Sequence, residues 1–514
     1  MQIVDDKALL FAAPNPGLIT SQIKKSAVVK DGMLVNWQLG EAAALARLGI
    51  PDVPSPMLRD YTYTGTLLPF EHQKDTSSFL SLHKRAFCFN EQGTGKTASA
   101  IWTADYLMDL GLVSRVLVLC PLSIMKSAWQ QDLFKFAMHR SCGVAHGSAK
   151  TRRRVIESDV EFVVINFDGL GVVKDEVLNG GFDLVIVDEA NAYKNAQTAR
   201  WKVLNTLVQK LDPRLWMMTG TPAAQSPIDA YGLAKLVNPD GCPKYYGQFR
   251  DSVMQKVSTF KWVPKRHAHT VVHRVLQPAI RYERADCLDL PPVIHTEREA
   301  PLTDMQKSYY IMLKNQLLFE SQGEEVSAVH AAARINKLLQ ISGGAVYTDD
   351  GNVLEFDVSN RLSVVLEAIA EASHKVLVFV PFTHTIELLS DRLTKEGISH
   401  AVMDGNVTPN KRANIVTTFQ TEPNPQVLII QPQAAAHGLT LTAADTIIWY
   451  APVTSVETYL QANARINRPG QEHHMNIIHI KGSAVEDRLY TMLQGHIDDH
   501  QRVIDLYRDI FEGK

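Results

Sequence analysis

Short continuous runs of Val, Ile and Leu, ended by Pro, Asp or Gly, recur along the chain and alternate with amphipathic stretches. Runs of this kind fit strands buried on both faces, and their alternation with helical spacing predicts parallel α/β architecture with function at the strands' carboxyl ends. In the first half they are Arg115–Cys120, Phe162–Ile165, Leu184–Val187 and Leu215–Met218. The second half repeats the theme with Val376–Phe379, Val427–Ile430, Thr446–Trp449 and Asn476–Ile480. Between the two sets, residues 303–341 carry Leu, Ile and Met at helical spacing and show no strand signal. The first 65 residues differ again, with proline punctuation at Pro51, Pro54 and Pro56 and an Ala/Leu-rich segment, Glu41–Leu48, that suits a short helix. The pattern predicts an N-terminal accessory region (1–65), an α/β lobe (66–300), a helical connector (301–345) and a second α/β lobe (346–514).

Composition narrows the class. At 514 residues there is room for roughly three domains of about 150 each. With 45% hydrophobic and 21% charged residues the chain can bury real cores. Its 52 Lys+Arg against 55 Asp+Glu leave a net charge of −3, so nothing in the overall balance signals a nucleic-acid partner. Any such partner has to be met by charge arranged locally. The longest apolar stretches, such as Val116–Cys120 and Val376–Phe382, are shorter than the roughly 20 residues that cross a bilayer. Acids near the N-terminus stand where a secretory signal carries bases, and the five scattered cysteines form no C-x-x-C pair. The expectation is a cytoplasmic protein, bacterial or in a virus-infected host, with neither a zinc knuckle nor a disulfide framework.

The strongest local chemistry lies in Asn90-Glu-Gln-Gly-Thr-Gly-Lys-Thr97. A phosphate cradle needs glycines that let backbone N–H groups turn toward the phosphates, a lysine to reach them and a hydroxyl for Mg²⁺. Gly93, Gly95, Lys96 and Thr97 fill those places, with Thr94 between the glycines, after an apolar run and before a helical stretch. The strict pattern begins with Gly, where this chain has Asn90. About 90 residues on, Phe182–Glu189 reads as a buried strand that delivers two carboxylates. Asp188 suits Mg²⁺ coordination and Glu189 suits polarising an attacking water. Far along the chain, Thr454 and Glu457 predict a capped helix that puts Gln461, Arg465 and Arg468 on one face. Paired arginines answer the charge that develops on a transferring phosphoryl group. The plain alternatives are a Gly-rich turn, an acidic strand exit and a solvated basic face.

Taken in order, these segments resemble superfamily 2 DNA-dependent ATPases, most closely the Swi/Snf-type translocases, from about Leu67 to Leu489. Pro69–Gln73 resembles the family's adenine-reading segment, which implies that Gln73 binds the base. Leu119–Ser123, with Trp129 following, resembles a motif lining the DNA path, and Ile165–Asp168 is similar to a Ser/Thr-Tyr-Asp segment. Thr219-Gly-Thr-Pro222 is similar to the segment that couples hydrolysis to strand contact, and Gly438–Thr442 to the fifth motif. Gln461, Arg465, Arg468 and Gln471 resemble the sixth, whose arginines act on ATP held by the first lobe. Where the family's acidic box ends in His this chain has Asn191, and Ala435, Ala436 and Thr440 replace two glycines and an asparagine.

The resemblance implies two tandem RecA-like lobes, ATP and Mg²⁺ as cofactors, and sequence-independent travel along double-stranded or branched DNA. Catalysis falls to Lys96, Asp188, Glu189, Arg465 and Arg468, with Thr97 and Asp188 on the metal. ATP binding falls to Gln73, Gly93, Thr94, Gly95, Lys96, Thr97 and Gln461. The implied DNA contacts are Ser123, Asn166, Thr383, Gly438 and Thr440, and the implied coupling residues are Asn191, Thr219 and Thr221. A basic run, Lys150-Thr-Arg-Arg-Arg154, reads equally as a solvated loop or a DNA contact. An RNA helicase of DEAD-box type is disfavoured, because Thr-Gly-Thr-Pro stands where that class has Ser-Ala-Thr. A scaffold or motor subunit of a nuclease or restriction-type complex is the remaining rival. Positive potential is expected across the strand ends of both lobes, with the acidic excess on outer helices.

Overall fold

A computed structural model describes residues 1–30, 32–65, 67–220, 222, 226–257, 262–287, 290–320, 328–347, 353–435 and 439–495. The chain divides into two compact units, Met1–Ala223 with Pro227–Leu288, and the rest from Asp289 on.

The first unit opens on a four-stranded antiparallel sheet of β1 (Gln2–Val4), β2 (Ala8–Phe11), β3 (Ser26–Val29) and β4 (Gly32–Asn36), in the order β1-β2-β4-β3. Its buried side chains Leu9, Phe11, Met33, Val35 and Trp37 share one core cluster with Trp102, Val116 and Val118 of the lobe that follows. The expected accessory region is therefore a layer on the first lobe's core. Its helix runs Leu39–Arg47, close to the expected Glu41–Leu48.

That lobe is a seven-stranded sheet of β5 (Arg85–Cys88), β6 (Val116–Cys120), β7 (Cys142–Ala145), β8 (Phe162–Asn166), β9 (Leu184–Asp188), β10 (Arg214–Met218) and, beyond the hairpin β11 (Met254–Lys256) and β12 (Trp262–Pro264), β13 (Ala279–Ile280). The order is β13-β5-β10-β9-β6-β8-β7, and every pairing is parallel. Side chains alternate across it as the pleat requires. Val116, Val118, Leu184 and Ile186 face one core, while Leu117, Leu119, Val185 and Val187 face the other.

The second unit is a six-stranded parallel sheet ordered β14-β21-β20-β17-β19-β18. Its strands are β14 (Val293–Glu299), then, after the hairpin β15 (Ala345–Tyr347) and β16 (Val353–Glu355), β17 (Lys375–Phe379), β18 (His400–Met403), β19 (Val427–Ile430), β20 (Ala444–Trp449) and β21 (Met475–Lys481). The two parallel sheets with flanking helices are the expected RecA-like lobes. The expected boundary at 300 moves, because β14 pairs along its whole length with β21. The helices Asp304–Glu320 and Ala328–Gly343 fall where the connector was expected and belong to the second unit.

Candidate functional site

The phosphate loop leaves the carboxyl end of β5 and enters the helix Lys96–Asp109. Both glycines that the cradle needs are left-handed, Gly93 at φ 84° and Gly95 at φ 84°, a region that side-chain-bearing residues avoid. The Lys96 ammonium donates to the carbonyls of Asn90 (2.8 Å) and Glu91 (3.0 Å), so it lies across the inside of the loop. Gln73 and His72 brace the loop from outside, both at the Thr94 carbonyl, at 3.0 and 2.8 Å. The other end of the Gln73 amide accepts from Phe70 N–H at 3.0 Å.

Asn90, the departure from the glycine pattern, is a buried tether. Its amide donates to Thr76 Oγ1 (2.8 Å) and accepts from Tyr282 N–H (3.0 Å). Glu91 continues the attachment, its N–H bonded to Tyr282 O at 2.9 Å and its carboxylate accepting from Arg284 N–H at 3.0 Å. A helix, the loop and the chain after β13 are thus tied at one residue. In the sequence this role shows only as a break in the glycine pattern at Asn90.

The acidic pair sits at the same level of the sheet. Met218 at the end of β10 registers with Cys88 on one side and Asp188 on the other. Asp188 is 8% exposed, and its carboxylate accepts from Glu189 N–H (3.1 Å) and from the Trp129 indole N–H (3.0 Å). Burial pushes its pKa up; the Lys96 charge and these two hydrogen bonds pull the other way. Glu189 holds φ 55°, a left-handed conformation rare for a side-chain-bearing residue, which turns the chain sharply as it leaves β9. Thr219 follows β10, 1% exposed, with its N–H on Cys88 O at 3.0 Å. Asn191 lies in the single turn Ala190–Tyr193 after the acidic pair. Thr221 lies outside the described residues.

These positions offer oxygen donors, the Thr97 hydroxyl and the Asp188 carboxylate. Among the described residues no group of three or more His, Cys, Asp or Glu side chains could hold a metal ion. A hard cation that takes few protein ligands and completes its shell with phosphate and water, Mg²⁺, fits that donor set.

In the second unit the helix is Val456–Asn463, capped by Ser455, whose side chain accepts from Thr458 N–H. The cap expected at Thr454 moves by one residue, and the helix ends before either arginine. Arg465 and Arg468 therefore stand on the following loop, not on one helical face with Gln461. Arg465 is 1% exposed and donates to Gln461 O (2.7 Å) and Leu439 O (3.3 Å). Arg468 is half-buried and donates to Ala464 O (2.9 Å) and Thr440 Oγ1 (3.2 Å). Gln461 is buried, with its amide on Glu457 at 3.3 Å. The Gln471 amide donates to the Ala444 carbonyl at 2.8 Å and so anchors the loop to β20.

The expected DNA contacts occupy strand ends. Ser123 is in the turn Leu122–Ile124 after β6, and Thr383 begins the helix Thr383–Lys395 after β17. Asn166 ends β8 with its side-chain oxygen on Arg152 Nη1 at 2.8 Å. Gly438 lies outside the described residues. The basic run forms the helix Ala149–Ile156 instead of a loop; Arg152 turns inward to the Ala145 carbonyl, and Arg153 pairs with Glu176.

A family model described as the SNF2-related domain matches residues 72–342, and one described as the helicase conserved C-terminal domain matches 360–470. The two in tandem, on two RecA-like sheets, place the chain in the class of ATP-dependent helicases and ATPases. Within that class it belongs to the SNF2-related family. It is 28% identical over 482 residues to the mouse chromodomain-helicase-DNA-binding protein 1-like, covering 88% of this chain and 52% of that protein. A SWI/SNF-related matrix-associated actin-dependent regulator of chromatin subfamily A-like protein 1 from Xenopus laevis is 24% identical over 445 residues, covering 85% of this chain and 44% of that protein. Protein p41 of Acyrthosiphon pisum secondary endosymbiont phage 1 is 24% identical over 470 residues and is covered throughout its length, against 87% of this chain. The chain spans about half the length of the first of these relatives. Among solved structures, the Sulfolobus solfataricus SWI2/SNF2 ATPase core in complex with dsDNA is similar at 20% identity and a TM-score of 0.43, covering 88% of this chain and 98% of that one.

Proposed function

We propose that the chain is a Mg²⁺-dependent ATPase that moves along duplex or branched DNA and remodels it, by branch migration or by displacing bound proteins, in replication, recombination or repair. The observation that carries this reading is the shared sheet level of the phosphate loop and the acidic pair, set by the register Cys88, Met218, Asp188. The Lys96 ammonium, now on loop carbonyls, transfers to phosphate oxygens. Thr97 and Asp188 would hold Mg²⁺, which neutralises phosphate charge when bound. Glu189 orients the attacking water, and Arg465 and Arg468 answer the charge on the transferring phosphoryl group. Family membership and the naming of the mouse relative as a helicase-DNA-binding protein support DNA as the polymer. The setting we propose is the cytoplasm of a bacterium or an infected host. Phosphate contacts should dominate, so affinity falls with salt and tolerates sequence.

The test is the ATPase rate with no polynucleotide and with single-stranded, duplex, forked or four-way DNA, or RNA. Stimulation by duplex or branched DNA is expected, whereas stimulation by RNA alone would overturn the reading. Lys96→Ala should abolish hydrolysis and leave DNA binding largely intact; retained turnover would mean that the phosphate loop is misassigned.

A further inference from the structure

The carboxylate of Asp188 is held from a direction that the acidic pair itself does not supply. After β6 the chain makes one tight turn, Leu122–Ile124, passes without a break into a π-helical turn, Met125–Gln130, and continues as the helix Gln131–Phe136. A π turn carries one residue more than an α turn, which rotates the side chains after it, and such turns gather at functional sites. Here the rotation aims Trp129 at Asp188, with the indole N–H 3.0 Å from Oδ2. Oδ1 accepts from Glu189 N–H, so both carboxylate oxygens have a fixed donor and the rotamer is set.

A buried tryptophan needs a partner for its N–H, and this chain shows what an ordinary one is. Trp37, Trp102, Trp201 and Trp216 donate to the backbone carbonyls of Pro54, Thr64, Gly232 and His83, and Trp449 to the Asn463 amide oxygen. Trp129 gives its N–H to a carboxylate. It is 0% exposed and packs in one core cluster with Ile124, Met125 and Leu133, its neighbours on the same element. The ring therefore moves only if the element moves.

We propose that Trp129 is a positioning residue, which orients the Asp188 carboxylate for a divalent cation and ties that orientation to the segment beginning at Ser123. The inference rests on the nucleotide-site reading above and adds a route to it. A polynucleotide phosphate met at Ser123 and a cation held at Asp188 become linked through the seven residues from Ser123 to Trp129, which run from a tight turn into the π-helical turn. By linkage each should alter affinity for the other.

The test replaces Trp129 with benzothienylalanine, which keeps the fused-ring shape and lacks the N–H, and in parallel makes Trp129→Phe. Binding of a fluorescent ADP analogue is measured across a Mg²⁺ titration and in EDTA, with and without duplex DNA. In the isostere the Mg²⁺ concentration for half-maximal binding should rise about tenfold, the range for losing a partner that orients a metal ligand. Binding in EDTA should stay unchanged, and the shift that duplex DNA causes in the wild-type Mg²⁺ curve should disappear. Adding Asp188→Asn to the isostere should produce no further shift beyond Asp188→Asn alone. An isostere curve that overlays the wild type, or an equal loss in EDTA, overturns the inference even if Trp129→Phe fails to fold. Wild-type protein without Mg²⁺-dependent nucleotide binding would instead sink the reading of the site itself.

Discussion

Removing the Glu486 side chain is expected to loosen the second unit while leaving the first intact. Glu486 is 0% exposed, and Oε2 accepts from Gly482 N–H (2.8 Å), Ser483 N–H (3.1 Å), Ser483 Oγ (3.1 Å) and Arg361 Nη2 (2.8 Å). One carboxylate thus caps the helix Ala484–Gln494 and neutralises a guanidinium that is itself 2% exposed. Arg361 keeps a second bond, to Tyr450 O at 2.6 Å. Glu486→Ala strands a buried positive charge, worth about 3–5 kcal/mol, and strips the cap, worth about 1 kcal/mol more. Arg361→Met should be milder, because the carboxylate it leaves behind still accepts from two backbone N–H groups and a hydroxyl. Two compact units make whole-chain melting an uncertain measure, so the assay is amide hydrogen exchange read strand by strand. For Glu486→Ala, protection in Ala444–Trp449 and Met475–Lys481 should fall about a thousandfold or more, at tenfold per 1.4 kcal/mol, with Leu184–Asp188 unchanged. Protection within threefold of wild type, or Arg361→Met proving the worse of the two, would refute the reasoning.

Two further expectations concern buried polar groups. His479 is 0% exposed beside Tyr459 and Gln494, and burial lowers its pKa from 6.5 to about 3. The folded unit keeps it neutral while the unfolded chain takes up a proton near 6.5, so stability is intact above that pH. Below it stability should fall by about 1.4 kcal/mol per unit toward pH 3; urea midpoints by pulse proteolysis should show a gentler acid slope in His479→Gln, and parallel slopes would count against this origin. Asn90→Gly restores the residue of the strict phosphate-loop pattern, yet it should weaken nucleotide binding and cost about 1–3 kcal/mol by leaving the Tyr282 N–H without its partner, while the Thr76 hydroxyl keeps its bond to His72 O. A neutral or stabilised Asn90→Gly, measured by denaturation and nucleotide titration, would show that the tether carries nothing.

Central strands were legible in the chain because burial on both faces demands unbroken apolar runs, as in Leu184–Asp188 and Val427–Ile430. Edge strands were not. β14 reads Val-Ile-His-Thr-Glu-Arg-Glu, largely exposed, and only its pairing with β21 makes it a strand. The small N-terminal sheet escaped for a similar reason, its strands of three to five residues being too short for a period to show. Loop chemistry at the phosphate cradle and the acidic pair was readable because it needs fixed residue types at fixed spacing. Side-chain braces across the fold, such as Trp129 to Asp188 and Asn90 to Tyr282, leave no local pattern. The arginines show the limit of periodicity: a spacing of four and three mimics a helix face, but the helix stops at Asn463.

The tether at Asn90 also sets a clock for biosynthesis. Its partner Tyr282 lies 192 residues further along, and the same late segment supplies the carbonyls of Pro278, Ile280 and Tyr282 to Phe87, Phe89 and Glu91. At about 5–20 residues per second, a ribosome takes roughly 10–40 s to deliver those partners after the phosphate loop has emerged. Through that interval the nascent chain carries a nucleotide loop without its clamp. The phosphate loop is clamped only once the strand that finishes the sheet has been made.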